Sequence, residues 1–312
     1  MAAPIALFVF RRPDKTRATL ASLAGCRGVE NVDLYIFCDG PRGTRDEQAV
    51  ADVRAIVEAF DHPRKTLVIS TENQGLARSI ISGVTRLCEQ YGRVIVVEDD
   101  LTVSPAFLDY MNTGLDTFAD DPRVMQISGF AFAQSNASPN STARFLPVTT
   151  SWGWATWERS WHDFDPDARD TDALRSDYAL RSRFDLGGLF GYYDMLQRQE
   201  AGRIDSWAIR WYWSVFRRDG LVLYPPISLV RNDGLDSSGT HTSRSKLLWR
   251  GLNHELPESS PPMPDQVAIN QASLAELASI VDPLFYRRAR NLLRCLLFRV
   301  NLAMQTSMRG PR

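Results

Sequence analysis

Residues 93–105 read RVIVVEDDLTVSP, and Arg93–Val97 is a run of β-branched apolar residues with no polar alternation, the mark of a strand buried on both faces. Glu98, Asp99 and Asp100 then put three acids where that strand ends. Like charges at the end of a buried strand raise one another's proton affinity unless a positive charge sits among them. A divalent cation removes the repulsion, and hard carboxylate oxygens suit Mn2+ or Mg2+. A turn chosen for geometry alone more commonly carries Gly or Asn. The stretch therefore predicts a metal-holding edge, with a solvated acidic turn as the plainer alternative. Pro105 and the amphipathic Ala106–Phe118 predict a helix packed on the sheet.

Upstream, the pattern repeats. Ile5–Phe10 reads as a buried strand, and Asp14 to Ala24 as a helix opened by Pro13 and Asp14. Asp33–Cys38 is a second strand running into the turn cluster Asp39-Gly40-Pro41, followed by a charged helix over 45–60 and a third strand over Thr66–Ser70. Gly75 to Tyr91 is a third helix, leading back to Arg93. The alternation predicts an α/β fold with a mostly parallel sheet flanked by helices. Ligands of such sheets collect at the carboxyl ends of the strands, where the sequence places Arg11, Asp39, Asn73 and the acidic triplet. Asn73 and Gly75 precede a helix whose amino end would face that edge, with Arg78 in its first turn; Asn73 serves equally well as an ordinary helix cap.

The chain has 312 residues, 44% hydrophobic and 23% charged, enough to bury a core without disulfide staples. Its net charge of −1 argues against a nucleic-acid partner. That balance hides an asymmetry: Leu284–Arg312 holds seven arginines and no acid, which leaves −8 for the rest. Apolar residues between those arginines predict a basic amphipathic helix, suited to peripheral contact with an anionic membrane or to docking on the acidic remainder. Cys26, Cys38, Cys88 and Cys295 form no metal-binding or disulfide pattern, so a reducing, cytoplasmic setting is expected, with the tail on the inner face of the membrane. The apolar start is followed, not preceded, by Arg11-Arg12, unlike a signal peptide, and no run of 18 apolar residues predicts a membrane span.

Beyond residue 130 the texture changes. A Ser/Asn/Pro loop (135–143) contains two glycosylation-type triplets at Asn136 and Asn140, of the kind polar loops throw up by composition. Trp152, Trp154, Trp157 and Trp161 follow, then Trp207, Trp211 and Trp213 on a helical segment. Trp152, Gly153, Trp154 and Trp207 are the candidate wall against which a sugar's C–H face would stack; a core would use the same rings. Arg231 and His241 lie in a polar loop after the strand Leu221–Tyr224, placed to close over a diphosphate, with His241 a candidate metal ligand. The expected organisation is a first half carrying the ligand edge (1–130), a second half of the same domain (131–254), a linker and helix (255–283), and the basic tail (284–312).

Together, strand–Arg11, strand–Asp39, Asn73-x-Gly-Leu-Ala and Glu98-Asp99-Asp100-Leu resemble the nucleotide-sugar half of GT-A-fold glycosyltransferases. Val-Val-Glu-Asp-Asp-Leu resembles the N-acetylglucosaminyltransferase I relatives, and Asn-x-Gly-Leu-Ala the wider family-2 enzymes. The resemblance covers residues 4–130 well and 149–242 more loosely. It implies transfer of a sugar from a nucleoside diphosphate donor, a UDP-sugar in the first instance, to a saccharide or lipid-linked acceptor in polysaccharide or glycolipid assembly. Asp100 matches the Mn2+ ligand that bridges the diphosphate; Glu98 and Asp99 match contacts to ribose and base, and Arg11 and Asp39 nucleotide-contacting positions. Asp205, ahead of a Trp-containing helix, matches the catalytic base of inverting members. Those members tend to have paired acids where this chain has one. Asp205 also reads as a simple helix cap. Two rivals remain: a sugar nucleotidyltransferase, which would normally show a Gly-rich phosphate loop after the first strand, and a non-catalytic sugar- or membrane-binding module with a relic site.

Overall fold

The structure is a computed structural model that describes residues 2–132, 138, 140–235 and 255–281. In chain order its elements are β1 (Ile5–Val9), α1 (Pro13–Ala24), β2 (Leu34–Cys38), α2 (Thr44–Ala59), β3 (Lys65–Ile69), α3 (Leu76–Tyr91), β4 (Arg93–Glu98), β5 (Leu101–Val103), α4 (Phe107–Thr117) and β6 (Val124–Ser128). There follow β7 (Arg144–Leu146), β8 (Trp154–Trp157), α5 (Glu158–Trp161), α6 (Asp172–Ser176), α7 (Tyr178–Phe184), α8 (Tyr192–Glu200), α9 (Trp207–Arg217), β9 (Leu221–Tyr224), β10 (Val230–Asn232) and α10 (Gln271–Val281).

Eight strands form one sheet in the order β3-β2-β1-β4-β8-β6-β9-β7. The first four are parallel, β8 runs against both β4 and β6, β9 is parallel to β6, and β7 runs against β9. The fold is therefore α/β with a mostly parallel sheet, as the sequence pattern predicts. Strands on both sides of residue 130 share that one sheet, because β8 returns to pair directly with β4.

Side-chain alternation divides the core between the two faces. Ile5, Leu7 and Val9 of β1 join Leu20, Leu23, Val53, Val57 and Phe107 on one face. Ala6 and Phe8 join Ile80, Val84 and Leu87 of α3 on the other. All five residues of β1 and of β2 are buried, which explains the unbroken apolar runs. Gly83 lets α3 approach that second face closely: a Cβ there would lie 2.7 Å from the Phe8 ring.

A two-stranded ribbon, β5 with β10, stands at the end of β4, with Arg231 opposite Thr102. The chain from 255 then covers the far side. Ala143 N donates to the Pro262 carbonyl at 2.9 Å and Asn270 N to the Phe145 carbonyl at 2.9 Å, so the outer edge of β7 is not left open. Among the described residues no helix is long and apolar enough to cross a membrane. The basic tail, residues 284–312, lies outside the described residues.

Candidate active site

Parallel β1, β2 and β4 deliver their carboxyl ends to one edge, and the charged groups gather there. Asp99 is turned inward, 3% exposed. One of its oxygens accepts from Phe10 N at 3.2 Å, and its carbonyl accepts from Thr19 Oγ1 at 2.9 Å. The cation that answers it is Arg12, whose Nη2 donates to Asp99 Oδ1 and whose Nη1 donates to Asp100 Oδ2 at 2.9 Å. Burial works against the Arg12 charge, but Asp99 and Asp100 outweigh it and raise the guanidinium above its ordinary value. Asp99 itself is raised by desolvation, with Arg12 opposing.

The expectation named Arg11, but it is Arg12 that reaches the acidic turn. Arg11 points outward, pairing with Asp46 at 2.9 Å, its side chain 46% exposed. Asp46 also accepts from Arg42 Nε at 2.7 Å, and Arg42 followed by Arg11 holds its carboxyl down at about 2. Arg12 precedes Pro13, the first residue of α1, and a residue before proline is kept out of the helical region. Its φ of −119° and ψ of 75° turn the side chain across to the end of β4. The available signal was that three acids on a central strand need a cation from the neighbouring one.

Glu98 follows a different course. It pairs in register with Phe8, and no described residue donates a hydrogen bond to its carboxyl. Desolvation, then the charges of Asp100 and Asp99, push it up to about 8. Asp100 is 13% exposed at the side chain; its Oδ2 takes Arg12, while its Oδ1 receives no hydrogen bond from a described residue. A Cβ on Gly234 would lie 2.1 Å from Asp100 Oδ2, so a larger residue there would push the Asp100 carboxylate aside. The turn is clasped by Asp233, whose N donates to the Asp100 carbonyl at 2.8 Å. Asp233 in turn accepts from Thr102 Oγ1 at 2.6 Å and from Arg231 Nε at 2.9 Å, and its carbonyl accepts from Lys15 Nζ. Arg231 thus lies on the ribbon beside the acidic turn, with 39% of its side chain exposed. His241 lies outside the described residues.

Asp39 is a hub of its own loops. Its carboxylate accepts from Gly40 N (2.8 Å), Gln74 N (2.7 Å), Gly75 N (3.0 Å) and Asn73 Nδ2 (2.9 Å). Asn73 is not the helix cap that its residue type offered: its side chain ties Asp39 to the Gly40 carbonyl, and Gly75 caps α3 at φ 77°. Gly75 itself offers no capping side chain, the Asp39 carboxylate holds the N–H groups of Gln74 and Gly75 just ahead of α3, and Arg78 is exposed on its first turn. Asp39 and Asn73 therefore shape the edge from behind.

Of the four wall residues, Trp152 alone keeps partial exposure, packed edge-on to Phe130 at 5.0 Å. Trp154 and Trp207 are core residues, 0% and 4% exposed, stacked on each other at 5.1 Å. With Trp161, Trp211 and Phe164 they form an aromatic block under α9 that buries both faces of these rings. This corrects the expectation that they line a groove. Gly153 is held at φ 56°, and a Cβ on it would lie 2.8 Å from Val230 Cγ1, so its role is close packing beneath β10.

Trp154 pairs with Val96 two residues before Glu98, so its stack with Trp207 brings the start of α9 to the same edge as the acids. Asp205 stands there, but 68% exposed and paired to Arg210 at 2.5 Å. It is neither desolvated nor the helix cap; Ser206 caps α9, accepting from Ile209 N at 3.4 Å.

Among the described residues no three His, Cys, Asp or Glu side chains converge on a point. Glu98 ends β4, and Asp99 and Asp100 lie in the turn that follows it, both held by Arg12. A cation shared with a diphosphate needs only one or two protein carboxylates, the phosphates and water supplying the rest. Asp100, with one unengaged oxygen, fits that requirement.

No protein-family model and no curated protein matches the chain. Among solved structures it is similar to a mannosyltransferase from Pyrobaculum calidifontis in complex with GDP-Man and Mn2+, at 12% identity and TM-score 0.38, over 70% of this chain and 74% of that one. It is also similar to a protein from Desulfovibrio desulfuricans provisionally assigned as a nucleotide-diphospho-sugar transferase, at 16% identity and TM-score 0.34, over 55% of this chain and 68% of that one. Both scores describe partial overlap, and the functional reading rests on the chain's own residues.

Proposed function

We propose that the protein is a metal-dependent glycosyltransferase of the GT-A type, moving a sugar from a nucleoside diphosphate donor to an acceptor hydroxyl. The observation that carries this reading is the edge itself. An internal guanidinium, an inward acid and an outward carboxylate oxygen stand at the carboxyl end of a parallel sheet, on the side to which α3 turns its amino end. Carboxyl edges of such sheets take nucleotides, and helix amino ends favour phosphate. The sequence resemblance, centred on Glu98-Asp99-Asp100, supplies the sugar.

Asp100 would hold Mn2+ or Mg2+, which when bound supplies Lewis-acid stabilisation of charge on a leaving diphosphate. Arg12 fixes the direction of Asp100 through Nη1 and opposes the desolvation of Asp99 through Nη2. Arg231 offers a further cation from the ribbon. Trp152 is the ring still able to present a face to a sugar. Asp205 is the candidate base: it would exchange Arg210 for the acceptor hydroxyl and take its proton, giving inversion by a single displacement. A saccharide or lipid-linked acceptor and a UDP-sugar donor complete the proposal.

The test is a thermal-shift screen of nucleoside diphosphates and their sugars, with and without Mn2+, on wild type and Asp100→Ala. Ligand at 100 times its dissociation constant adds about 2.7 kcal/mol. A Mn2+-dependent rise with one nucleotide, absent in the variant, is expected. No rise with any nucleotide in the presence of metal removes the proposal.

A further inference from the structure

The two edges of the sheet are finished differently. At β7 the chain from 262 to 270 lies along the outer strand, whereas β3, at the opposite end of the order, has no strand beyond it among the described residues. The ladder fixes which main-chain groups of β3 are left over. Leu34 N donates to the Arg64 carbonyl at 3.0 Å and Ser70 N to the Cys38 carbonyl at 2.9 Å, with an unbroken register between them. Alternate residues of a parallel strand turn both main-chain groups to the same side, so Thr66 and Val68 serve β2 while Lys65, Leu67 and Ile69 face outward. Lys65 N is used in the local turn, donating to the His62 carbonyl at 3.3 Å. The N–H groups of Leu67 and Ile69 and the carbonyls of all three have no hydrogen-bond partner among the described residues.

Sheet edges normally carry a device against pairing, such as a proline, a bulge or a charge held over the strand. β3 reads KTLVI, with no proline and no bulge. Its one charge is turned away: Lys65 Nζ donates to the carbonyls of Val57 and Glu58 at 2.9 Å each and to that of Phe60, closing the carboxyl end of α2. What the lysine leaves along the edge is its aliphatic stem. Leu67, on the same face, packs on the core that α2 shares. Ile69, next on that face, is 43% exposed, one of two large apolar side chains so exposed among the described residues; the other, Leu76, starts the helix that follows β3.

We propose that β3 pairs antiparallel with β3 of a second copy of this chain, about a two-fold axis at Leu67. In that register Leu67 exchanges hydrogen bonds with the partner's Leu67, and Ile69 N donates to the carbonyl of the partner's Lys65, the bond repeating by symmetry. Every free N–H then meets a free carbonyl, and only the Ile69 carbonyl stays with solvent. Directly opposed side chains share a face, so Ile69 rests on the stem of the partner's Lys65, whose ammonium remains on its own α2. A two-fold interface has to be self-complementary, and this set of groups is. That property selects a second copy over an unrelated strand. The inference does not depend on the transferase reading.

The test is sedimentation velocity of the full chain over roughly 1–200 μM, because a single five-residue strand pair buries less than about 1,200 Å2 and dissociation at about 10–100 μM is expected. Ile69→Lys restores a charge to the edge, and Ile69→Pro removes an outward N–H while leaving the bonds to β2 intact. Each should weaken association about tenfold or more, with the melting of the monomer little changed. Amide hydrogen exchange supplies a readout specific to this pairing: Leu67 and Ile69 gain protection as concentration rises. Should Ile69→Pro fail to fold, Ile69→Lys and the exchange pattern decide. A wild type that stays monomeric at the highest concentration overturns the proposal. So does a dimer that the folded variants retain, or one in which the Leu67 and Ile69 amides exchange as fast as in the monomer.

Discussion

Glu98 is the place where the acidic edge can be weighed against stability. Its carboxyl, without a hydrogen-bond donor among the described residues, is pushed from 4.5 up to about 8 by desolvation and by Asp100 and Asp99. Below about pH 4.5 the folded and unfolded chains both hold the proton, and Glu98 contributes no difference. As pH rises the unfolded chain ionises first, so stability falls until the folded carboxyl also ionises, and the loss is complete above about pH 8. At about 1.4 kcal/mol per pH interval the full loss approaches 5 kcal/mol. Some solvent contact remains at this position, so about 2–4 kcal/mol is the expected figure. Glu98→Gln removes the charge while keeping the shape. Urea unfolding of both proteins in EDTA should give similar stabilities near pH 4.5 and a more stable variant at pH 8. Comparing the two cancels every other titrating group. A difference that does not change with pH, or a variant less stable at pH 8, refutes the reasoning.

Arg12→Met should destabilise by about 3–5 kcal/mol, because it leaves Asp99 buried without its cation, and Arg12→Lys should recover part of that in urea titrations. Gly153→Ala forces a side chain into a positive φ and against Val230; about 1–3 kcal/mol of lost stability is expected in the melting curve. If Asp205 is the base, Asp205→Asn lowers kcat by about 10²–10⁴ in a coupled diphosphate-release assay while donor affinity stays unchanged. Binding of the donor with its metal should expel the Glu98 proton below pH 8, read as a buffer-dependent heat in titration calorimetry that disappears in Glu98→Gln.

Backbone architecture was legible because each element carries its signal locally. The unbroken apolar runs of β1, β2 and β4 and the spacing in α3 place those elements within a residue or two of where they lie. What was not legible is direction. Arg11 and Arg12 are adjacent and chemically alike, and only the restriction imposed by Pro13 together with the position of β4 selects the second. The tryptophans failed as a wall for a related reason. A ring's chemistry is the same in a groove and in a core, and the choice was made by α9 landing on β8, a contact between residues more than fifty apart in sequence. Asp205 was weighed as a cap against a base, yet Ser206 beside it has the cap and Arg210, one turn on, holds the carboxylate. The inward placement of Asp99 is fixed by the turn that follows β4 and by Arg12 and Phe10 N, none of which the residue types announce.

The electrostatics of the edge argue for a site that is incomplete by construction. One guanidinium serves three acids, and it is divided between Asp99 and Asp100. Arg12 and Phe10 N meet Asp99; Glu98, with no such donor among the described residues, is pushed up to about 8; Asp100 remains with one oxygen engaged and one not. Replacing Glu98, which has no hydrogen-bond donor among the described residues, by an apolar residue would relieve repulsion, so stability alone gives no reason to keep a third acid beside Asp99 and Asp100. A ligand that brings two positive charges to this edge removes the repulsion and releases the Glu98 proton. Under the proposed function, the instability of the free edge would be the source of its affinity for a cation-bearing diphosphate, and Arg12 limits that instability to what the rest of the fold can carry.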